Sequence, residues 1–464
     1  MSQVTEALLH LDKETIVAQC TPKGSGAIAL IRLSGSNAIE IAEKITVLKS
    51  KKKLSQESSH TIHYGWIVTK GNTKIDQVLL LLMKEPKTFT GEDTVEITCH
   101  NNPFIIEAII TEAIENGARI AQNGEFTKRA FLNKKIDLIQ AEAINELIHA
   151  QTETALKSSL QQLEGTLTSW ALEIEKDLIK ALSLSEASFE FLDEEQMEFS
   201  KEIETLLSKS IKTIDSLKQT FNQQQQIRQG IRIAIIGSVN AGKSSLFNAL
   251  LNQKRAIVTN IAGTTRDSIE AGIYKYGNYI TLIDTAGLRQ TENSIEKKGI
   301  QRSLEEAKKA DIILLAYDGS KKMLQDEQKI YHAIIEAHNN KIILVQNKID
   351  KEICCNQFPT IKKIGISSLH NTNIDVLKKE IHHKINALFA AIDSPFLLNK
   401  RQYNLITGLE NRLKAMIPML EDQVAYELIS YHLHNALEYF SEFSGKTIST
   451  KGLDAIFREF CIGK

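Results

Sequence analysis

Short apolar runs separated by helical stretches fill residues 1 to about 131. GAIALIRLSG, QVLLLLMKE and DTVEITCH have the length and composition of strands, and the mixture predicts an α+β domain. From about residue 132 the apolar period becomes helical: Ile144, Leu147 and Ile148 fall on one face, and Leu160, Leu163, Leu167 and Leu178 keep that spacing. The polar stretch FNQQQQIRQG then reads as a linker. IRIAIIG opens a strand–loop–helix alternation lasting to about residue 388, the pattern of a parallel α/β domain. After NKRQYNLITG the chain is helical again, with Leu405, Leu409, Leu413 and Met416 on one stripe. Two helical blocks flanking an α/β block predict an insertion, which chains tolerate because domain termini lie close together on the surface. The expected boundaries are 1–131, 132–225, 226–388 and 389–464.

Composition narrows the class. A chain of 464 residues is too long for one core, and 42% apolar with 24% charged residues is the balance of a soluble globular protein. Only six prolines leave room for long helices, and a net charge of −1 gives no global pull toward nucleic acid or acidic membrane. The N-terminal MSQVTEALLHLDKETIVAQ lacks the layout of a secretory signal, and runs such as VLLLLM are too short to cross a bilayer. Five cysteines without framework spacing predict reduced thiols in a cytoplasm; neither Cys354-Cys355 nor Cys99-His100 has metal-site spacing.

The chemistry is concentrated in the α/β block. Gly237-Ser-Val-Asn-Ala-Gly242-Lys243-Ser244 is a complete G-x-x-x-x-G-K-S between a β run and a helical one. Its glycines let backbone N–H groups approach phosphate oxygens, and the helix N-terminus adds a favourable dipole. Lys243 supplies positive charge at the β- and γ-phosphates, and the Ser244 hydroxyl is suited to Mg²⁺. Tyr279–Ile283 reads as a strand ending in Asp284-Thr-Ala-Gly287, where a carboxylate reaches Mg²⁺ through water and the Gly287 N–H senses the γ-phosphate. KIILVQ ends in Asn347-Lys348-Ile-Asp350. The Asp350 carboxylate accepts from guanine N1–H and its 2-amino group, donors adenine does not offer, so the site selects GTP over ATP. Ser367-Ser368-Leu369 suits the loop that backs the base. Between the phosphate loop and DTAG, a threonine hydroxyl in Thr259–Asp267 would complete the Mg²⁺ shell and release it after hydrolysis. The position after DTAG is Leu288, which cannot orient water, so hydrolysis needs another polar group; Glu292 and Glu296 are the nearest carboxylates downstream.

The GTP-binding set expected from these elements is therefore Asn240, Ala241, Gly242, Lys243, Ser244 and Ser245; Thr259, Asn260, Ile261, Ala262, Gly263, Thr264 and Thr265; Asp284, Thr285, Ala286 and Gly287; Asn347, Lys348 and Asp350; and Ser367 with Ser368. Ser244 and Thr265 are the expected Mg²⁺ ligands.

GTTRD at 263–267 and DTAGLR at 284–289 resemble the TRAFAC-class GTPases related to Era. Phe460-Cys461-Ile462-Gly463-Lys464, GEFTKRAFLN at 124–133, DLIQAE at 137–142, IRLSG at 31–35 and TGED at 90–93 narrow this: the chain is similar to the MnmE (TrmE) family of bacterial tRNA-modification GTPases over essentially its whole length. The resemblance implies an α+β folate-binding N-terminal domain, a discontinuous helical domain and an inserted P-loop G domain. It also implies a homodimer joined through the N-terminal domain. The family acts in a heterotetramer with a flavoprotein, MnmG, placing a carboxymethylaminomethyl or aminomethyl group on C5 of the wobble uridine of certain tRNAs. A 5-formyl- or methylene-tetrahydrofolate derivative is the implied one-carbon source.

The same resemblance implies K⁺ at the site of an arginine finger, held by Asn240, the Thr259 and Ile261 carbonyls and Thr264. It assigns the water-orienting carboxylate to Glu296, and folate contacts to Arg32, Glu96, Lys135 and Lys464. Cys461 is placed near the folate pocket, with a chemical role and a small buried packing role both open. Where the family commonly has His-Gly-Gly, this chain reads His100-Asn101-Asn102, and asparagine's tolerance of left-handed backbone is expected to preserve the turn. A regulatory switch related to Era, acting in ribosome assembly, is the alternative; no basic cluster of an RNA-binding module is evident in either helical block.

Overall fold

The computed structural model describes residues 14–188, 193–219, 221, 230–251, 269–275, 278–284, 305–354, 357–390, 396–420 and 425–463. In chain order the strands are β1 Ile16–Gln19, β2 Ile28–Ser34, β3 Thr46–Leu48, β4 Thr61–Val68, β5 Lys74–Met83, β6 Thr94–His100, β7 Arg119–Ile120, β8 Ile231–Gly237, β9 Ile269–Lys275, β10 Asn278–Asp284, β11 Ile312–Asp318, β12 Ile342–Asn347 and β13 Lys363–Gly365. The helices are α1 Ala38–Lys44, α2 Pro103–Glu115, α3 Glu125–Leu132, α4 Leu138–His149, α5 Glu153–Leu163, α6 Thr166–Ala187, α7 Asp193–Gln219, α8 Lys243–Leu251, α9 Gln325–His338, α10 Ile374–Ala390, α11 Lys400–Met416, α12 Tyr426–Ser444 and α13 Thr450–Phe457. They form two units: residues 1–148, 160–215 and 400–464, and residues 149–159 with 216–399.

The first unit contains a seven-stranded sheet in the order β3-β4-β5-β6-β2-β1-β7, antiparallel except for the β1–β7 pair. Period-2 alternation aims Ala29, Ile31 and Leu33 of β2, Val78, Leu80 and Leu82 of β5, and Val95 and Ile97 of β6 into one core with Ile41 of α1 and Ile109 of α2. The opposite face carries Val47, Ile62, Tyr64 and Leu79, all exposed, with Ile62 at 66% and Leu79 at 43%. The expected left-handed turn at Asn101-Asn102 is not what forms. Neither residue has positive φ; Asn102 is extended at φ −121° and its side chain accepts from Phe104 N–H, capping α2.

Helical packing completes this unit. Leu405, Leu409, Leu413 and Met416 of α11 are all buried, as the stripe predicts. The earlier stripe is less regular than its spacing suggests. Short non-helical turns separate α4, α5 and α6; Ile148 is 41% and Leu160 48% exposed, while Leu167 and Leu178 are fully buried. At the head of α4, Asp137 and Gln140 exchange backbone N–H bonds at 2.8 and 3.0 Å, a reciprocal cap.

The second unit is built on a six-stranded sheet ordered β13-β12-β11-β8-β10-β9, parallel except where β9 runs against β10. β8 and β11 are apolar almost throughout because both their faces are covered. Ile233 and Ile235 pack with Leu246 of α8 and Leu377 of α10, whereas Ala234 and Ile236 pack with Tyr331 of α9 and Phe358. Residues 149–159, expected within the first helical block, belong to this unit: Tyr279 N–H donates to the Gln151 carbonyl at 2.7 Å, and Thr152 bridges to Asn278. The expected linker falls mostly on residues 222–229, outside the described residues.

Candidate nucleotide site and N-terminal domain pocket

β8 ends at Gly237, and the chain passes through Ser238, Val239, Asn240 and Ala241 to Gly242 before α8 begins at Lys243. The turn is made by two left-handed residues, Asn240 at φ 63° and Gly242 at φ 86°. At Gly242 a methyl group would collide with the Asn347 side-chain amide, so only glycine lets the two loops meet. Val239, Asn240, Ser244 and Ser245 are exposed around this turn, while Lys243 is buried and donates from Nζ to the Gly237 and Ser238 carbonyls at 2.6 and 2.5 Å.

Asn347 couples this loop to the segments expected to read the base. Its Nδ2 donates to the Ala241 carbonyl at 2.9 Å; its Oδ1 accepts from Lys348 N–H at 2.9 Å and from the N–H and hydroxyl of Ser368 at 3.1 and 3.0 Å. Lys348 stands at φ 65° and its Nζ pairs with Asp318 Oδ2 at 2.6 Å. Asp350 is exposed, and its carboxyl lies below the ordinary range because of a hydrogen bond from the Ser367 side chain, with smaller help from a backbone bond, His370 and Lys351. The carboxylate, ionised at neutral pH in any case, is thereby kept charged to lower pH than an ordinary aspartate. Sequence reasoning missed Tyr331 and Asp318. Neither lies in a local motif; each reaches the site through strand and helix pairing far along the chain.

Several expected residues lie outside the described residues: Thr259, Asn260, Ile261, Ala262, Gly263, Thr264, Thr265, Thr285, Ala286, Gly287, Glu292, Glu296 and Lys464. Asp284 closes β10 next to β8, which places its backbone at the same sheet edge as Gly237.

In the first unit, Arg32 and Glu96 sit opposite one another on β2 and β6, joined by Nε–Oε1 at 2.8 Å and a second contact at 2.7 Å. The guanidinium lies 5.4 Å from the Phe126 ring centroid and donates to the Gly463 carbonyl at 3.4 Å. The C-terminal tail is therefore folded onto this pair. Lys135 donates from Nζ to the Pro86 carbonyl at 2.8 Å. Cys461 is exposed, and its carbonyl accepts from Gly124 N–H at 3.3 Å. Cys99, by contrast, is buried, and its thiol is pushed up to about 11, chiefly by burial and then by Asp76. No cluster with metal-ligand character occurs among the described residues.

A family profile described as the GTP-binding protein TrmE N-terminus matches residues 15–135, and one for the MnmE helical domain matches residues 138–461. The tRNA modification GTPase MnmE of Lachnoclostridium phytofermentans is 36% identical over 463 residues, covering 97% of this chain and 99% of the relative. The chain belongs to the MnmE family. MnmE of Aquifex aeolicus is 37% identical over 97% of this chain and 100% of its own length, and MnmE of Streptococcus gordonii is 38% identical over 97% and 99%. Among solved structures, Aquifex aeolicus Era bound to GDP and aluminium fluoride is 27% identical, covering 39% of this chain and 66% of that one, with a TM-score of 0.27. As an MnmE-family protein the chain is a GTP-hydrolysing enzyme of tRNA modification, with an α+β N-terminal part, a discontinuous helical part and an inserted α/β G domain. The match runs through both flanking blocks, so the Era-like regulatory alternative gives way.

Proposed function

We propose that the chain hydrolyses GTP with K⁺ stimulation and, as a cytoplasmic homodimer working with the flavoprotein MnmG, installs a carboxymethylaminomethyl or aminomethyl group at C5 of the wobble uridine U34 of certain tRNAs. The observation that carries the GTP reading is the bridge made by Asn347, which brings the phosphate loop and the guanine-selecting Asp350 segment into one site. Mg²⁺ would be held by Ser244, whose hydroxyl is exposed at the head of α8, together with Thr265. K⁺ would be held by Asn240, which the left-handed turn leaves exposed, with Thr259, Ile261 and Thr264. Each cation would offset charge on the phosphates during transfer, with Glu296 orienting water.

Arg32 and Glu96 fit a tetrahydrofolate derivative in chemical type. Paired at 2.7 Å, the two side chains would meet one end of the molecule, the carboxylate accepting from the amino and ring N–H groups of a pterin and the guanidinium donating to its carbonyl. Lys135 and Lys464 would complete the set, supplying charge to the anionic glutamate tail at the other end; the bound folate would supply the one-carbon unit. The exposed apolar face of β3, β4 and β5 supports dimerisation through the N-terminal domain. No helix among the described residues is long and apolar enough to cross a membrane.

The test is deletion of the gene followed by mass spectrometry of tRNA nucleosides, with turnover of the purified protein measured in KCl and NaCl. Loss of the modified wobble uridines, faster turnover in KCl and near-loss of turnover in Glu296→Ala are expected. Unchanged wobble uridines with abnormal ribosomal particles would overturn the tRNA reading, and equal rates in the two salts would overturn the K⁺ reading.

A further inference from the structure

Tyr331 lies on α9, on the face of the sheet opposite α8, and is 3% exposed. Its ring stacks on Phe358 with centroids 6.0 Å apart, and Phe358 meets Tyr317 edge-on at 5.3 Å. Core packing therefore fixes where the hydroxyl stands. That hydroxyl donates to the Ala316 carbonyl of β11 at 2.7 Å and accepts the Ser238 N–H, the first amide beyond β8, at 2.8 Å. Burial, the largest effect, pushes the phenol up to about 12, so it keeps its proton wherever the enzyme works.

Ser238 is held at its other end by Lys243, whose ammonium bonds the Ser238 carbonyl as well as that of Gly237. One residue thus has its amide gripped by α9 and its carbonyl gripping the phosphate-loop lysine. We propose that Tyr331 is a positioning residue for GTP hydrolysis, fixing Ser238 so that its carbonyl sets where the Lys243 ammonium stands before the phosphates. The inference rests on the reading of this loop as the GTP site. Without the hydroxyl, the Ser238 amide loses its acceptor and the residue can turn its carbonyl away from the lysine. A displaced ammonium loses most where negative charge redistributes, in the transition state, and less in ground-state binding.

The experiment is Tyr331→Phe in the full-length chain, which removes one oxygen and leaves the ring in its cluster. Steady-state GTP turnover, fluorescent-GDP affinity and thermal melting are measured beside wild type and Lys243→Ala. The expected result is a fall in kcat of about tenfold, roughly 1.4 kcal/mol in the barrier, with KM and GDP affinity held within about threefold. The melting temperature is expected to fall by no more than a few degrees, the cost of the two hydrogen bonds lost. Wild-type kcat overturns the proposal. So does a joint fall in melting temperature and both nucleotide affinities with kcat retained, the behaviour of a mere structural brace. Unimpaired GTP binding by Lys243→Ala would instead overturn the assignment of the loop itself.

Discussion

Asp350 is exposed and would be ionised at neutral pH unaided; the Ser367 side-chain hydrogen bond, the largest influence on it, holds its carboxyl lower still. The direction of that shift fixes a pH dependence. A carboxyl held below its ordinary value stays ionised through the usual carboxylate range, so guanine binding persists there and fails only as pH falls through the lowered pKa. Ser367→Ala should return Asp350 toward the ordinary value, and the acid loss of GDP binding should begin at higher pH than in wild type. Fluorescent-GDP titrations from about pH 6 to about pH 3, a window that spans the ordinary carboxylate value, test this; superimposable acid limbs would remove the role given to Ser367. At this scale the sequence was readable wherever function is written in consecutive residues, as in Asn347-Lys348-Ile-Asp350. Tyr331 was not, because an amphipathic helix gives a tyrosine the same pattern whether its hydroxyl meets water or a peptide.

Helices α4, α11 and α12 are joined by one buried charge. Glu142 accepts from Arg401 Nε and a terminal nitrogen at 2.6 and 2.7 Å and from Gln402 at 2.7 Å, and Arg401 also donates to the Glu442 and Phe443 carbonyls. Glu142 precedes the inserted segment in the chain and Arg401 follows it, so the pair closes the two arms of the chain on each other within the first unit. Arg401→Ala would leave Glu142 with Gln402 alone and should destabilise this unit by roughly 3 kcal/mol, the low end for breaking a buried pair. Urea unfolding followed by tryptophan fluorescence checks it, and a loss below about 1 kcal/mol, the range of exposed pairs, would contradict it. The Leu405–Met416 stripe announces the buried face of α11, whereas the cap of Asp137 and Gln140 at the start of α4 emerged only from the structure. Ile148 and Leu160 mislead because periodicity marks a face without saying how far cover extends, and both lie beside breaks between helices.

Across the molecule, fold class was the most legible property, since a strand covered on both sides, such as β8, needs a continuous apolar run while β6 alternates; β5, with its unbroken VLLLLM, alternates only in burial. The membership of residues 149–159 was hidden, because backbone bonds such as Gln151 to Tyr279 leave no mark on side-chain pattern. The open face of the N-terminal sheet bears on assembly. Tyr64 and Leu79 are directly paired across β4 and β5, and both are exposed. If this face joins two copies, Leu79→Glu buries an unpaired carboxylate in the contact and should shift the protein from dimer to monomer at micromolar concentration. Sedimentation velocity decides, and an unchanged dimer would place the contact elsewhere.

Because one amide side chain at Asn347 serves both the Ala241 carbonyl and the Ser368 loop, purine and polyphosphate are not graded separately. If the site holds GTP as proposed, an ill-fitting base that displaced Asn347 would pull on the anion cradle as well, and the penalty for the wrong nucleotide would exceed what the base's own lost contacts impose.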